Sequence, residues 1–122
     1  MDQKVIIRRA KAADISTAEA IAIAAWRPYF RYRRQVLGKD CYAAAHANWQ
    51  TEKAAQIRSN LQGEHGCRAY VATVDDGVVG FVTFFVDEAK GIAEIGNNAV
   101  HPDWQCQGVG SQMYAFVLDR MR

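Results

Sequence analysis

The chain has 122 residues, of which 50% are hydrophobic, and a formal net charge of +2 at pH 7. Length and composition predict one globular domain over residues 1–122, with a hydrophobic core of its own. A net charge this small does not favour nucleic acid as a partner, and every apolar run is far shorter than the ~20 residues of a membrane-spanning helix. Three cysteines without pairing or metal spacing favour neither a disulfide framework nor a metal site. The sequence therefore predicts a cytoplasmic protein without a bound metal.

The first predicted elements are a strand and an amphipathic helix. Residues 4–10 predict a strand at a sheet edge. Ser16 and Glu19 have the spacing of a capping box, and apolar residues at helical spacing continue from there to Trp26. Because proline lacks a backbone N–H, Pro28 predicts an interruption of this helix.

Arginines and aromatic residues are interleaved around this proline. The cluster consists of Arg27, Tyr29, Phe30, Arg31, Tyr32, Arg33 and Arg34. Guanidinium groups and aromatic rings together can bind phosphates and stack on bases. The simplest interpretation is a solvated turn between two helices, and the alternative is a contact with a charged ligand.

A second helical region and a β-hairpin are predicted next. Residues 40–62 predict a helix with a break near Asn48. Residues 68–74 and 78–87 are rich in β-branched and aromatic side chains, and the turn Asp75-Asp76-Gly77 between them predicts an antiparallel hairpin.

A strand and a helix are predicted at the end of the chain. Residues 92–100 predict the strand, and Gly96-Asn97-Asn98 within it indicates a β-bulge. Residues 111–122 predict the helix. Tyr114, on this helix, is expected to pack against the sheet.

The segment between this strand and this helix carries the strongest functional signal. It reads Gln105-Cys106-Gln107-Gly108-Val109-Gly110-Ser111. Glycines at 108 and 110 remove the Cβ atoms that would hold a ligand away from the backbone, so N–H groups at the opening of the helix can point at one anion. The order of residues in this segment matches neither the dinucleotide-binding fingerprint G-x-G-x-x-G nor the P-loop. The sequence therefore predicts a phosphate cradle of another kind.

This pattern, Q-x-x-G-x-G preceded by Asn98-Ala99-Val100-His101-Pro102, resembles motif A of the GNAT family of N-acetyltransferases. Residues 78–82 and 5–10 are similar to other strands of that family. The resemblance implies a mixed α/β (α+β) fold, in which helices flank a mostly antiparallel sheet. It also implies that acetyl-CoA is the co-substrate and that its acetyl group moves to a primary amine by direct attack. The residues implied to bind the pyrophosphate are Gln105, Cys106, Gln107, Gly108, Val109, Gly110 and Ser111.

The resemblance also implies roles at the reacting centre. Backbone N–H groups near Ala99 and Val100 are implied to stabilise the charge that develops on the thioester oxygen. Glu94 stands at the same offset before Gln105 as the catalytic glutamate of the family's histone-modifying members, which makes it the candidate general base. A solvent-facing carboxylate on an alternating strand is the other interpretation of Glu94.

The acceptor is expected to be a small-molecule or peptide amine. The resemblance implies that the first helix, the second helical region and their connection form the wall of the acceptor site. Trp26, Tyr29 and Tyr32 are therefore candidate substrate-binding residues. Burial in the core explains Trp26 equally well. The alternative interpretation of the arginine cluster is then a contact with the acceptor or with the nucleotide end of coenzyme A.

The family pattern continues past the motif-A helix, whereas this sequence ends at Arg122. The strand at residues 92–100 is therefore expected to lie at an open edge, and self-association through that edge is expected. Two functions stay open, an N-acetyltransferase and a non-catalytic module that binds coenzyme A or a partner. A third, a nucleic-acid binder, depends only on the arginine cluster.

Overall fold

The computed structural model describes residues 4–63, 67–87 and 89–120 of the chain. Within these residues, helices cover both faces of a four-stranded antiparallel sheet with the order β1-β2-β3-β4. This confirms the predicted mixed α+β fold. The elements, in chain order, are β1 (Ile6–Arg9), α1 (Ile15–Leu37), α2 (Lys39–His46), α3 (Trp49–Leu61), β2 (Arg68–Val74), β3 (Gly77–Asp87), β4 (Ile92–Val100) and α4 (Val109–Arg120), with 3-10 turns at Ala12–Asp14 and Pro102–Trp104.

Helix α1 is longer than the sequence predicts. Pro28 lies inside it, and the helix ends only at Leu37, before a glycine with a positive φ of 81° at position 38. A proline inside a helix costs about 3 kcal/mol because a hydrogen bond is lost and the ring crowds the preceding turn. Aromatic packing offsets this cost, since Phe30 stacks on Trp49 of α3 with ring centroids 4.2 Å apart. The predicted interruption is therefore wrong, and the arginine cluster lies on a helix rather than in a turn.

The start of α1 also differs from the prediction. Asp14 precedes the first helical residue, so Ser16 lies inside the first turn and forms no capping box with Glu19. Asp14 is only 6% exposed and accepts hydrogen bonds from Arg8, from Nη1 to Oδ2 at 2.8 Å and from Nη2 to Oδ1 at 2.9 Å. The backbone N–H of Lys11 donates to the same carboxylate at 2.7 Å. The carboxylate thus joins β1 to α1.

Two predicted connections are confirmed. Residues Asp75 and Asp76 have φ values of 51° and 66°, and Val74 pairs with Gly77 across them. Two successive positive φ angles match the right-handed twist of the hairpin strands, so this is the predicted tight turn between β2 and β3. The break in the second helical region also occurs near Asn48, between α2 and α3.

The core lies on both faces of the sheet. On one face, α4 buries Val109, Met113 and Val117 against Val82 and Phe84 of β3. These three helix positions are four residues apart and therefore share one side of α4.

Tyr114 does not pack against the sheet as predicted. It follows Met113 by one residue, which rotates it away from the buried side of α4, and it is 41% exposed. Its hydroxyl instead donates to Asn98 Oδ1 of β4 at 3.3 Å.

On the other face, α1 and α3 bury small and aliphatic side chains against β2 and β3. These are Ala18, Ile21, Ala22 and Ile57 from the helices and Val71 and Phe81 from the strands. Helices α1 and α4 therefore lie on opposite faces of one sheet. In the part of the chain that the structure describes, no helix has both the length and the apolar content to cross a bilayer.

We expect Asp14→Asn to lower the free energy of unfolding by about 2 kcal/mol, because buried hydrogen bonds between charged groups are weakened. Arg8 holds the pKa of Asp14 below its ordinary value of 3.8 by hydrogen bonding to the ionised carboxylate. The folded state therefore gains stability from this group above pH 3.8 and loses it as the pH falls through the lowered pKa.

Urea unfolding of both proteins from pH 7 to pH 2 tests this. The stability difference between wild type and Asp14→Asn should shrink below pH 4, roughly the unfolded pKa of aspartate. Asp103→Asn, whose side chain is 84% exposed, serves as the control and should leave stability almost unchanged. An equal difference at every pH would contradict the assignment.

Candidate functional site

The loop between β4 and α4 is exposed to solvent, and several hydrogen bonds hold its shape. Gln105 Nε2 donates to the carbonyl of Val100 at 3.0 Å, and Gln107 Nε2 donates to the carbonyl of Asp103 at 3.0 Å. Val109, the first residue of α4, is only 1% exposed and anchors the loop in the core. The loop is thus ordered by its own side chains while its backbone faces solvent.

Backbone N–H groups at the start of α4 point out of the helix. Cys106 and Gly108 have positive φ angles of 64° and 83°, which turn the chain sharply before the helix begins. The N–H of Gln112 donates back to the carbonyl of Gly108 at 3.1 Å. The N–H groups of residues 109–111 precede this first helical bond and have no acceptor within the helix. The helix dipole adds partial positive charge at the same place.

Both glycines of the loop have open space on their side-chain side. A Cβ built on Gly108 would meet no atom within 4 Å, and one built on Gly110 would meet only Val100 Cγ2, at 3.9 Å. Gly108 is required by its positive φ, whereas the fold does not require a glycine at 110. Residues 105–111 include no charged side chain, so an anion here would be held by backbone dipoles.

The predicted bulge is present in β4. The pairing with β3 shifts so that Thr83 lies opposite both Gly96 and Asn97. Thr83 Oγ1 donates to the carbonyl of Asn97 at 2.8 Å. A Cβ on Gly96 would lie 2.8 Å from that hydroxyl oxygen and 2.8 Å from the Phe85 ring, so only glycine fits without displacement.

After the bulge, the pairing decides which N–H groups face the outer edge of β4. The N–H of His101 donates to the carbonyl of Val79 at 2.8 Å, which makes these two residues a hydrogen-bonded pair. Because such pairs alternate along an antiparallel ladder, the N–H of Ala99 points toward β3 and that of Val100 points away from it. Among the described strands, β4 is an edge, so the N–H of Val100 faces outward.

Glu94 lies on β4 before the bulge and is exposed. It pairs with Phe85 of β3. Phe85 follows Phe81 by four residues along β3, and Phe81 is buried beneath α1. Alternation along the strand therefore places Glu94 on the face of the sheet that α1 and α3 cover. Glu94 forms no ion pair within the described residues.

Two of the three predicted substrate-binding residues lie together. Trp26 and Tyr29 contact each other edge to face at 5.4 Å and line a cavity of about 180 Å³ between α1 and α3. Tyr32 is 63% exposed and does not line this cavity.

Lys53 is a residue of this cavity that the sequence analysis missed. Its ammonium lies 4.3 Å from the centroid of the Trp26 ring and donates to Asn97 Oδ1 of the bulge at 2.9 Å. Burial lowers the pKa of Lys53, because the cavity removes water from its charged form. Lys53 follows Trp49 by one helical turn and so shares its side of α3, a signal that the sequence contains.

The side chain of Asn97 joins the bulge to α3. Its Nδ2 donates to Asn60 Oδ1 at 2.7 Å while its Oδ1 accepts from Lys53. Asn98, next to it, donates from Nδ2 to the carbonyl of Gly96 at 3.2 Å. Both asparagines therefore support the shape of the bulge. Within the described residues, no three side chains that could ligate a metal ion converge.

Comparison with known proteins places this geometry in a family. A family model described as "Acetyltransferase (GNAT) family" matches residues 21–122. Comparison with curated proteins finds no match.

Several solved structures have the same fold. The PaiA N-acetyltransferase from Thermoplasma acidophilum, solved in complex with coenzyme A, is 15% identical with a TM-score of 0.70, and the match covers 97% of this chain and 72% of that one. A GNAT family acetyltransferase from Brucella melitensis, in complex with acetyl-CoA, is 20% identical with a TM-score of 0.66, over 99% of this chain and 70% of that one. The ribosomal-protein-S18-alanine N-acetyltransferase from Escherichia coli is 20% identical with a TM-score of 0.65, over 97% and 59%. At sequence identities this low, the similarity to these structures shows that the fold is shared.

The two loop glycines should respond differently to a methyl group. We expect Gly108→Ala to lower the free energy of unfolding by about 1 kcal/mol, because alanine is strained at a positive φ. Gly110→Ala should leave stability unchanged or raise it slightly, since alanine favours the helix and meets no close neighbour. Thermal unfolding of the two variants checks this, and equal destabilisation by both would show that the loop has another conformation.

Proposed function

The chain belongs to the acetyltransferase (GNAT) family, and on that premise we propose that it transfers an acetyl group from acetyl-CoA to an amine. The observation that carries the proposal is the exposed row of N–H groups at the start of α4, next to the outward N–H of Val100. Acceptorless N–H groups at a helix start favour an anion, and the pyrophosphate of coenzyme A is such an anion.

The cradle residues hold the pyrophosphate through their backbone. Residues 106–111 supply N–H donors, and the open space at Gly108 and Gly110 lets the phosphate oxygens approach them. The side chains of Gln105 and Gln107 keep the loop in shape by bonding to carbonyls on its strand side. Because helix dipoles and charge-assisted hydrogen bonds stabilise the anion, the loop needs no lysine or arginine of its own.

The reacting centre lies along the outer edge of β4. Acetyl-CoA supplies an activated thioester carbonyl, whose oxygen gains charge when an amine attacks. The N–H of Val100 donates to that oxygen, while Ala99, bonded to β3, holds the strand in place. A preformed donor of this kind needs no reorganisation during the reaction.

The attacking amine must lose a proton, and Glu94 is the proposed base. Its carboxylate is exposed on the face of the sheet that α1 and α3 cover, where Trp26 and Tyr29 form the proposed acceptor wall. Tyr32, an exposed residue of α1 outside the cavity, is proposed as a further contact to the acceptor. Glu94 takes the proton directly or through a water molecule. As the new C–N bond forms, the C–S bond of the thioester breaks, and coenzyme A leaves as a thiolate that takes up a proton.

Replacement of Gly110 tests the cradle. We expect Gly110→Val to weaken coenzyme A binding at least tenfold, because its methyl groups occupy the space through which the phosphates approach. Isothermal titration calorimetry measures the affinity, and thermal unfolding of the same variant shows that the fold is intact. Ala115→Val, an exposed change on the outer side of α4, is the control. Unchanged affinity in Gly110→Val would place the ligand elsewhere.

Replacement of Glu94 tests the base. We expect Glu94→Gln to lower kcat/KM for an amine acceptor on the order of 100-fold at pH 7. The loss should shrink as the pH rises, because more of the amine is then already deprotonated. A pH profile of steady-state acetylation measures this, with Asp119→Asn as a control carboxylate on α4. A loss that is the same at every pH would instead give Glu94 a structural role.

A further inference from the structure

Three arginines form one exposed face of α1. Arg27, Arg31 and Arg34 are spaced by four and three residues, so they lie on the same side of the helix. None of them forms an ion pair with a carboxylate of the described residues. We call this set the arginine face. Three like charges on adjacent turns repel one another, so an anion that binds between them is favoured.

The arginine face borders a groove with a rigid apolar floor. The groove has a volume of about 230 Å³ and is lined by the three arginines together with Phe30, Trp49 and Gln50. Phe30 and Trp49 are stacked with an interplanar angle of 12°. The stacked rings give the groove an apolar surface beside the three exposed guanidinium groups.

This groove continues toward the end of β4. A second groove of about 530 Å³ shares Arg27 and Gln50 with the first. Aliphatic side chains such as Ile23 and Val78 also line this second groove, and so does His101. His101 directly follows Val100, whose N–H belongs to the proposed reacting centre. The groove of the arginine face therefore adjoins a largely apolar groove whose lining includes the residue next to the proposed reacting centre.

The arginine face and the phosphate cradle lie on opposite faces of the sheet. Helix α4, which opens with the cradle, packs on Val82 and Phe84, whereas α1 packs on Val71 and Phe81. A pyrophosphate held at the start of α4 lies on the α4 side, whereas the proposed acceptor wall lies between α1 and α3. The second substrate, the acceptor, is thus the molecule that the arginines can reach.

We propose that the acceptor is an amine that carries an acidic group, and that the arginine face binds this group. The inference rests on the proposed acetyl transfer and names the substrate class for the same site. The acidic group, a carboxylate or a phosphate, lies between two adjacent arginines, and an apolar stem extends along the groove toward His101. Arg27 and Arg34 are about 10 Å apart along the helix axis, so one group meets Arg31 and only one of its neighbours. Arg31 is therefore the residue on which recognition depends most.

The test uses the full chain saturated with coenzyme A, which lacks an acetyl group and so allows no turnover. The probes are 6-aminohexanoate, 6-aminohexyl phosphate and the uncharged 6-aminohexanamide, and calorimetry measures their binding. We expect an acidic probe to bind at least about tenfold more tightly than the amide, as hydrogen bonds between charged groups allow. Comparison of the two acidic probes distinguishes a carboxylate from a phosphate.

Variants assign the preference to the arginine face. Arg31→Gln should abolish the preference for the acidic probe, and Arg31→Lys should retain part of it, because lysine keeps the charge but loses the forked geometry. The control is Arg9→Gln. Arg9 is an exposed residue of β1, at the edge of the sheet opposite to β4, and its replacement should leave the preference unchanged. Circular dichroism verifies that each variant is folded.

Each other outcome is decisive. If coenzyme A binds but the acidic probes bind no better than the amide, the inference is overturned and the proposed function stands. If coenzyme A does not bind, the proposed function fails, and the same probes added to the protein alone still report whether the arginine face selects an acid. If Arg31→Gln weakens coenzyme A but not dephospho-coenzyme A, the arginines hold the 3′-phosphate and the inference is overturned.

Discussion

The extra residue in β4, opposite Thr83, determines which backbone groups of the rest of β4 face β3 and which face the outer edge. A bulge shifts the pairing by one residue, which exchanges inward and outward backbone groups along the rest of the strand. Without this shift, the N–H of Val100 would point into the sheet. The bulge persists because the neighbours of position 96 leave no room for a Cβ, so that glycine fits there. The hydroxyl of Thr83 also holds the bulge by donating to the carbonyl of Asn97. The same Asn97 reaches Asn60 of α3, so the bulge also fixes the helix that forms the acceptor side.

The two proposed binding sites, one for coenzyme A and one for the acceptor, lie on opposite sides of the sheet. On the side of α4 lie the backbone N–H groups of the proposed cradle, and Val109, Met113 and Val117 anchor the helix that presents them. On the side of α1 and α3, aromatic rings and the arginine face line one groove, and His101, which follows β4, lines the groove next to it. The proposed function has two substrates approach the same strand end from opposite faces, as a transfer without a covalent enzyme intermediate requires.

Local chemistry made much of this structure predictable. The Asp75-Asp76-Gly77 turn, the bounds of β4 and its bulge follow from residues that tolerate unusual backbone angles or lack a Cβ. The sharp turn before α4 follows from Gly108, which has a positive φ, whereas the phosphate cradle predicted there stays a prediction. Predictions failed where contacts between residues far apart in the sequence determine the local structure. Pro28 lies within α1 because Phe30 stacks on Trp49, and Lys53 belongs to the acceptor side because the bulge brings Asn97 to it. The Phe30–Trp49 contact has no signal within a short window of sequence, and the spacing of Lys53 from Trp49 shows only which side of α3 it shares, not that it meets Asn97.

The most direct test of this account is a coenzyme A titration of the nitrogen-15-labelled chain, followed by the amide chemical shifts in NMR spectra. The account predicts the largest shift changes at the N–H groups of residues 106–111 and of Val100, with the amides of β1 at the far edge of the sheet nearly unchanged. Saturable changes confined to α1, or no changes at ligand concentrations far above those of the protein, would contradict the claim that the backbone at the start of α4 holds the pyrophosphate.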